Sequence, residues 1–551
     1  MDINILQGLN NEYAGTTIKA KLYGEINSNI LDRIQSFHPI FMDGYTVSND
    51  ELVIQSKLPH LWVEIATALQ KLSKKDWSIE YTEKYILETI IKKQISSMST
   101  IPILHSAMTQ GLEITQLFLK SGISEDSDLN RRYIIGCGIE SNQICSFSSS
   151  KDTYLGFMIQ RDKTLTNSIM NRLGIPSPKW AEITKEEDID DLWDSFSKPI
   201  VMKPAGLTGG NGVVTRIESK EVAHKAYKTI LEVINNKPRQ KYQYKVLIQE
   251  QVTGEDYRLL VINGKFEIAT KRIPAYVIGD GKSTIKELIE SLNKDPKRDI
   301  SNPSHTLKPI NIDDDLIDFL SSQSLTVENV PLKDQLVYVR KVASMSKGGT
   351  TEDFTDKVSE QIKNLVETLA SSIHAYALGV DVFCKDISKP LTPDNGAILE
   401  CNTMPEAYLN SFPAKGKQYN NIGDVFLNGL IGKQKTKRIL VIGKTTKEAQ
   451  TIINLKLDSS IERIGIYSDS KIIIDRDIFN NEIDIKDAFE ALKLNASIST
   501  IVHHLTKDEF INNGSGFERI DLCLINKEEN EIMKTMEGYK NLNLINDIST
   551  F

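Results

Sequence analysis

The chain has 551 residues, a formal charge of −8, 40% hydrophobic residues and 25% charged residues. That is the composition of an ordinary globular protein with three or four domains, and the acidic balance argues against a nucleic-acid-binding body. No apolar run nears the roughly 18 residues of a membrane span and no signal-peptide core opens the chain, while the five cysteines are scattered with no CxxC pair, so a reduced, cytoplasmic protein is expected, without a disulfide framework or zinc site.

In chain order, residues 1–150 read as an N-terminal α/β domain with helical periodicity over 58–72 and 84–97. Its His60 and His105 read as core or surface residues, not ligands. A helix over 163–173 is stopped by Gly174, Pro176 and Pro178. Residues 198–275 alternate strands and turns around one helix at 220–233. Helices return over 284–293 and 356–377, followed by strands over 380–383 and 397–401 with a loop at 388–395. A charged linker, 432–437, precedes a last α/β block running from 438 to 551.

The most informative stretch is KPIVMKPAGLTGGNGV, residues 198–213. A β-branched, apolar run delivers Lys203 at its end, a loop carrying Gly206, Thr208, Gly209, Gly210 and Gly212 follows, and a second apolar run starts at Val213. Glycines let backbone N–H groups approach phosphate oxygens, and a lysine ammonium supplies compact positive charge. The pattern is not a Walker A loop, because no Gly-Lys-Ser/Thr closes it.

Downstream, residues 246–264 (VLIQEQVTGEDYRLLVING) run a strand into a short polar segment. That is either an adenine-holding hinge between two lobes, with Glu255 or Asp256 placed for ribose hydroxyls, or a plain hairpin turning at Thr253-Gly254. In AILECN, residues 397–402, Glu400 and Asn402 stand two apart and share one face of a strand, with Asp381 of GVDVF as a third oxygen donor. Hard oxygen ligands of this kind suit Mg²⁺.

These parts in this order resemble the ATP-grasp superfamily of carboxylate–amine ligases. The resemblance implies two α/β lobes gripping ATP and an acyl-phosphate intermediate attacked by an amine. Lys163 and Lys203 would contact the phosphates, with the loop 206–212 over them. Gln249, Glu250, Gln251 and Val252 would form the adenine hinge, and Asp381, Glu400 and Asn402 would hold Mg²⁺. More narrowly, residues 131–138 (RRYIIGCG), 160–178, 272–289 (RIPAYVIGDGKSTIKELI), 293–296, 346–356 (SKGGTTEDFTD) and 386–391 (DISKPL), together with Arg340, resemble cyanophycin synthetases over roughly residues 130–432. These enzymes polymerise aspartate and arginine. On that likeness Arg272 and Arg340 would hold a carboxylate or the acyl phosphate with their guanidinium forks, and the turn Ser346, Lys347, Gly348, Gly349 would present a hydroxyl and backbone N–H groups to the same anion. Phosphoryl transfer of this kind needs no nucleophilic Ser, Cys or His.

Departures from the family pattern are specific. Gln249 stands for a glutamate, and Lys347 stands where a small residue is usual. In PEAYLNSFPAKG, residues 405–416, Tyr408 replaces an arginine, Asn410 a histidine and Lys415 a glutamate. Acceptor recognition is therefore expected to be rewritten.

The tail, from RILVIGKTTKEAQTII (438–453) to STIVHHLTKDEFINNGSGFERIDLCLIN (499–526), resembles a truncated, degenerate Mur ligase. Gly443, Lys444 and Thr445 survive from its P-loop, but Arg438 occupies the first glycine's place. His503 and His504 are adjacent on a strand, point to opposite faces and are not read as a metal site. The layout resembles cyanophycin synthetase 2, whose Mur-like part is inactive. The expectation is an α/β protein with domains at 1–150, 151–432 (ATP-grasp) and 433–551. It would be a ligase using ATP and Mg²⁺ on an amino-acid or peptide substrate, with no nucleic-acid or membrane partner and a homo-oligomeric assembly. A ligase for an unrelated peptide or natural product, or a non-catalytic ATP-binding scaffold, is the alternative.

Overall fold

The computed structural model describes residues 2–24, 26–38, 40–48, 50–92, 97–117, 132–207, 211–236, 245–299, 305–432, 435–443, 463–475, 477–525, 529–540, 542 and 545–547. They form two compact units, one built from 1–146 with 421–551, the other from 147–300 with 305–420. Helices and sheets are mixed in both, the α/β class expected. Among the described residues no helix is long and apolar enough to cross a membrane.

The second unit carries the candidate site. Its elements include α1 (Lys163–Arg172), β1 (Trp180–Ile183), β2 (Ile200–Pro204), β3 (Val214–Ile217), α2 (Lys220–Asn235), β4 (Val246–Glu250), β5 (Glu255–Ile262), β6 (Lys265–Ile273), β7 (Tyr276–Ile278), α3 (Ile285–Leu292), β8 (Leu336–Tyr338), β9 (Thr350–Asp353), α4 (Glu360–Ser372), β10 (Ala377–Cys384) and β11 (Gly396–Thr403). Strands β3-β2-β4-β1 make a four-stranded antiparallel sheet and β9-β6-β5-β10-β11 a five-stranded one. Since β4 and β5 lie in different sheets, residues 251–254 are a connection between sheets, not the turn of a hairpin.

Period-2 alternation splits each strand between a core face and a polar face. In the small sheet Ile200, Met202, Val246 and Ile248 join Ala223, Tyr227 and Ile230 of α2 in one core. Val201, Lys203, Leu247 and Gln249 are left to the other face. In the large sheet Tyr257, Leu259, Val261, Val380, Val382 and Ile398 pack on Ile362, Val366 and Leu369 of α4. The expected helix over 356–377 is shorter: α4 ends at Ser372 and Ala377 already begins β10. Ala375, Ala377 and Leu378 are buried, and that burial favours the sheet.

In the first unit a seven-stranded sheet includes the parallel strands Ile464–Ser468, Thr500–Leu505, Lys437–Ile442 and Leu522–Ile525. Its core contains Leu9 and Cys137 beside Leu440, Ile501 and Phe517, so N-terminal and C-terminal stretches share one interior. The expected 84–97 helix is a short α-helix, Ile79–Tyr85, running into a π-helical turn, Ile86–Ile91. Helix Ile422–Leu430 packs on helix Thr100–Thr109. A Cβ on Gly423 would stand 1.9 Å from the Pro102 carbonyl oxygen.

Candidate active site

The polar face of the large sheet is a row of charges set by register. Arg258 on β5 stands opposite Asp381 on β10, and Asp381 opposite Glu400 on β11; one step along, Gly379 faces Asn402. Asp256 faces Arg272 across β5 and β6. A bulge after Asp381 inserts Leu399, so Ile398 pairs with Val382 on the core face while Glu400 turns to the polar face.

Ion pairs knit this row. Arg258 Nε donates to Asp381 Oδ1, and its Nη2 donates to Asp381 Oδ2 at 3.2 Å. Arg272 Nη2 donates to Asp256 Oδ1 at 2.6 Å and lies 3.2 Å from Asp381 Oδ2. Burial raises the pKa of Asp381, but the two guanidiniums outweigh it and hold the carboxyl below the usual range. Asp256 goes the other way, to about 6, through burial opposed by Arg272 and reinforced by the charge of Asp381. The Asp256 carboxylate, expected at a ribose, is held by Arg272 within this row.

From the small-sheet side come two lysines. Lys163 is the first residue of α1, whose N-cap Asp162 accepts from Thr164 N at 2.9 Å. Its Nζ donates to the Leu207 carbonyl at 2.7 Å and lies 3.8 Å from Glu400 Oε2. Lys203 is buried, and that burial depresses its ammonium pKa to about 8 against the pull of Glu400; Lys163 depresses it further, while Asp381 supports the charge. On the same sheet face Gln249 is buried, its Oε1 without a hydrogen-bond partner among the described residues.

The other hinge residues have structural partners. Glu250 Oε1 accepts from Ser197 N at 2.9 Å and Gln251 Oε1 from Arg216 N at 2.8 Å. Val252 follows, half-buried. Gly206 is buried and Gly212 has φ +73°; Thr208, Gly209 and Gly210 lie outside the described residues.

Arg340 is placed apart from the row: its Nη1 donates to Asp313 Oδ1 at 2.6 Å and its Nη2 to the Asn311 carbonyl at 2.7 Å. The expected carboxylate-holding fork is thus occupied by the protein itself. The Ser346–Gly349 turn leads into β9, whose Thr350 pairs with Ile273, so it stands one residue beyond Arg272. Gly348 there has φ +87°, and a Cβ would lie 2.5 Å from Ile310 Cγ1. Ser346 Oγ is 3.0 Å from Ser344 Oγ. Lys347 pairs with Asp315 at 2.8 Å, directing its charge away from the turn.

A cleft joins Gln160, Arg161, Lys163, Thr166 and Asn167 to residues 399–402. In it the buried Asn402 Nδ2 has no hydrogen-bond partner among the described residues. Two carboxylates and a carboxamide on one face, one amide unsatisfied, are a donor set that fits a hard cation carrying phosphate oxygens. Sequence reasoning missed Arg258 and the Gln160 side of the cleft. Strand alternation from Asp256 would have found Arg258, since i and i+2 share a face.

Two antiparallel sheets presenting lysines from one side and carboxylates from the other define a nucleotide-grasping α/β domain. Residues 161–272 match the family model described as phosphoribosylglycinamide synthetase, ATP-grasp (A) domain. The chain therefore carries an ATP-grasp domain.

It is similar to cyanophycin synthetase of Synechocystis sp., 32% identical over 318 residues, covering 58% of this chain and 35% of that protein. The glutathione biosynthesis bifunctional protein GshAB of Clostridium perfringens is 31% identical over 275 residues, covering 49% of this chain and 34% of that protein. The chain spans about one third of the length of these relatives. A bifunctional glutathione synthetase structure from Pasteurella multocida matches 66% of this chain and 49% of its own at 23% identity, with a TM-score of 0.48.

Proposed function

We propose that the chain is an ATP-dependent ligase that joins a carboxylate to an amine. The observation that carries this reading is the convergence of Lys163 and Lys203 on Glu400 and Asp381, beside the unsatisfied Asn402 and Gln249. A buried ammonium with a depressed pKa and buried amide atoms with no partner among the described residues both cost free energy. An anionic, hydrogen-bonding ligand such as a nucleotide triphosphate would relieve both costs.

In this reading Gln249 and the 250–252 segment receive the adenine, while Lys163 and Lys203 neutralise phosphate oxygens. Glu400 and Asn402, with Asp381 behind them, would hold Mg²⁺, which supplies charge neutralisation at the phosphates. The substrate carboxylate oxygen attacks the γ-phosphorus, and the bond from that phosphorus to the β–γ bridging oxygen breaks, releasing ADP. The amine then attacks the acyl carbon, loses a proton and expels phosphate. Arg272 and the Ser346–Gly349 turn lie at one edge of the row and would hold the acyl-phosphate oxygens; positioning and charge account for the rate.

The finer reading is a cyanophycin-like activity on β-aspartyl-arginine or a related peptide, supported by the similarity to cyanophycin synthetases. One observation favours a changed substrate instead. Tyr408 and Asn410 are buried, Tyr408 against Phe412 with ring centroids 4.6 Å apart and Asn410 Nδ2 donating to the Glu406 carbonyl at 2.8 Å. Positions that would offer an arginine and a histidine to substrate therefore face inward. The test is ADP release from Mg-ATP against β-aspartyl-arginine, free aspartate, arginine, other amino acids and short peptides. Release with one carboxylate–amine pair, with the amide product found by mass spectrometry, supports the ligase. ATP binding without release on any of them favours the scaffold.

A further inference from the structure

Asp381 is the most buried carboxylate of the row, and both its oxygens are held by arginines, so something must fix its plane and keep it ionised. Arg258 does so with two adjacent nitrogens, Nε on Oδ1 and Nη2 on Oδ2, the geometry of a bidentate fork. Arg272 contributes one nitrogen only, and that nitrogen is closer to Asp256 than to Asp381. The Arg258 stem needs space on the sheet face. A Cβ on Gly379 would sit 2.8 Å from Arg258 Nη1, 3.1 Å from its Cδ and 3.0 Å from Pro405 Cβ. Gly379 is in strand geometry and not in the left-handed region, so its lack of a side chain matters for space and not for backbone freedom. It is also the register partner of Asn402.

Resting on the ligase reading above, we infer that Arg258 is the positioning residue that orients Asp381 toward the metal–nucleotide, and that Gly379 is the gap in the sheet face that admits it. Groups that orient metal-binding carboxylates matter nearly as much as the ligands themselves, and their loss typically weakens metal affinity about 10–100-fold. A bare competitor for Asp381 would do the reverse: removing it would tighten metal binding. The sign of the effect therefore decides between positioning and competition.

The experiment is calorimetric titration of Mn²⁺–ADP, and of ADP with EDTA, into the full chain and its Arg258→Lys, Arg258→Gln and Gly379→Ala variants, with the Arg258→Lys/Gly379→Ala double variant. Each single variant should bind Mn²⁺–ADP about 10–100-fold more weakly while binding metal-free ADP unchanged. The double variant should be no weaker than the worse single, because both changes act through one fork. Thermal melting without metal checks folding, and Arg258→Lys carries the test if Gly379→Ala fails to fold. Unchanged or tighter Mn²⁺–ADP binding in both Arg258 variants overturns the inference alone. A wild-type chain that does not bind Mn²⁺–ADP overturns it together with the ligase reading.

Discussion

Asp381 and Glu400 are register partners on adjacent strands, and they face the same way because Leu399 is an extra residue in the ladder. If both carboxylates act on the phosphates, Glu400→Gln and Asn402→Ala should each lower substrate-dependent ADP release by about 100-fold or more, the usual cost of losing one preorganised electrostatic group. Steady-state kcat with saturating Mg-ATP is the measurement. Unchanged rates would remove these residues from the chemistry.

Lys203 makes affinity depend on pH. Its folded pKa of about 8 lies below the ordinary lysine value of 10.5, first because of burial. Between those values the unfolded chain binds more protons, so Lys203 contributes rising stability to the ligand-free protein as pH increases through that window. Nucleotide binding needs the charged form. ADP affinity should therefore fall above about pH 8, and Lys203→Met should weaken binding at neutral pH and flatten that fall. Titrations from pH 6.5 to about 9.5 would show it.

Arg438, expected at the place of a P-loop glycine, is one of the most buried side chains among the described residues. Its Nη2 donates to Glu140 Oε2 at 2.6 Å, with both side chains 1% exposed. Its Nη1 stands 3.6 Å from Asp521. Removing one partner of such a pair strands the other, at about 3–5 kcal/mol. Arg438→Gly, which would install the expected P-loop glycine, should unfold the first unit at lower denaturant and gain no nucleotide binding. Guanidinium unfolding with nucleotide titration checks both halves.

Tyr408→Arg would install the arginine that the likeness to cyanophycin synthetases implies, but the site is buried beside Phe412. An unpaired guanidinium there should cost at least about 3 kcal/mol, read as a lower melting temperature, without restoring activity on β-aspartyl-arginine.

The paired histidines of the tail, His503 and His504, meet different partners. The His503 ring lies between Phe489 and Phe517, with centroids 4.2 and 3.9 Å away, and burial lowers its pKa to about 3. His504 instead meets Ser468 Oγ at 2.7 Å. Alternation along a strand was enough to separate them, because it depends only on backbone geometry.

The sequence by itself determined the elements and the chemistry-bearing positions whose signal is local. Helix α1, with its Gly174 stop, was legible, as were the lysine at the end of β2 and the shared face of Glu400 and Asn402. Only the tertiary structure decided what depends on register and on distant partners. The Leu399 bulge sends Ile398 into the core and Glu400 out of it, although equal spacing would put Ile398, Glu400 and Asn402 on one face. Arg258 finds Asp381 across a strand pair 123 residues apart in sequence. Arg340 finds Asp313, and Arg438 finds Glu140. Each of these is an ion pair in a buried or half-buried place, where the charge must find an opposite charge. Which partner satisfies it is set by the packing of the whole sheet, and local periodicity does not encode that.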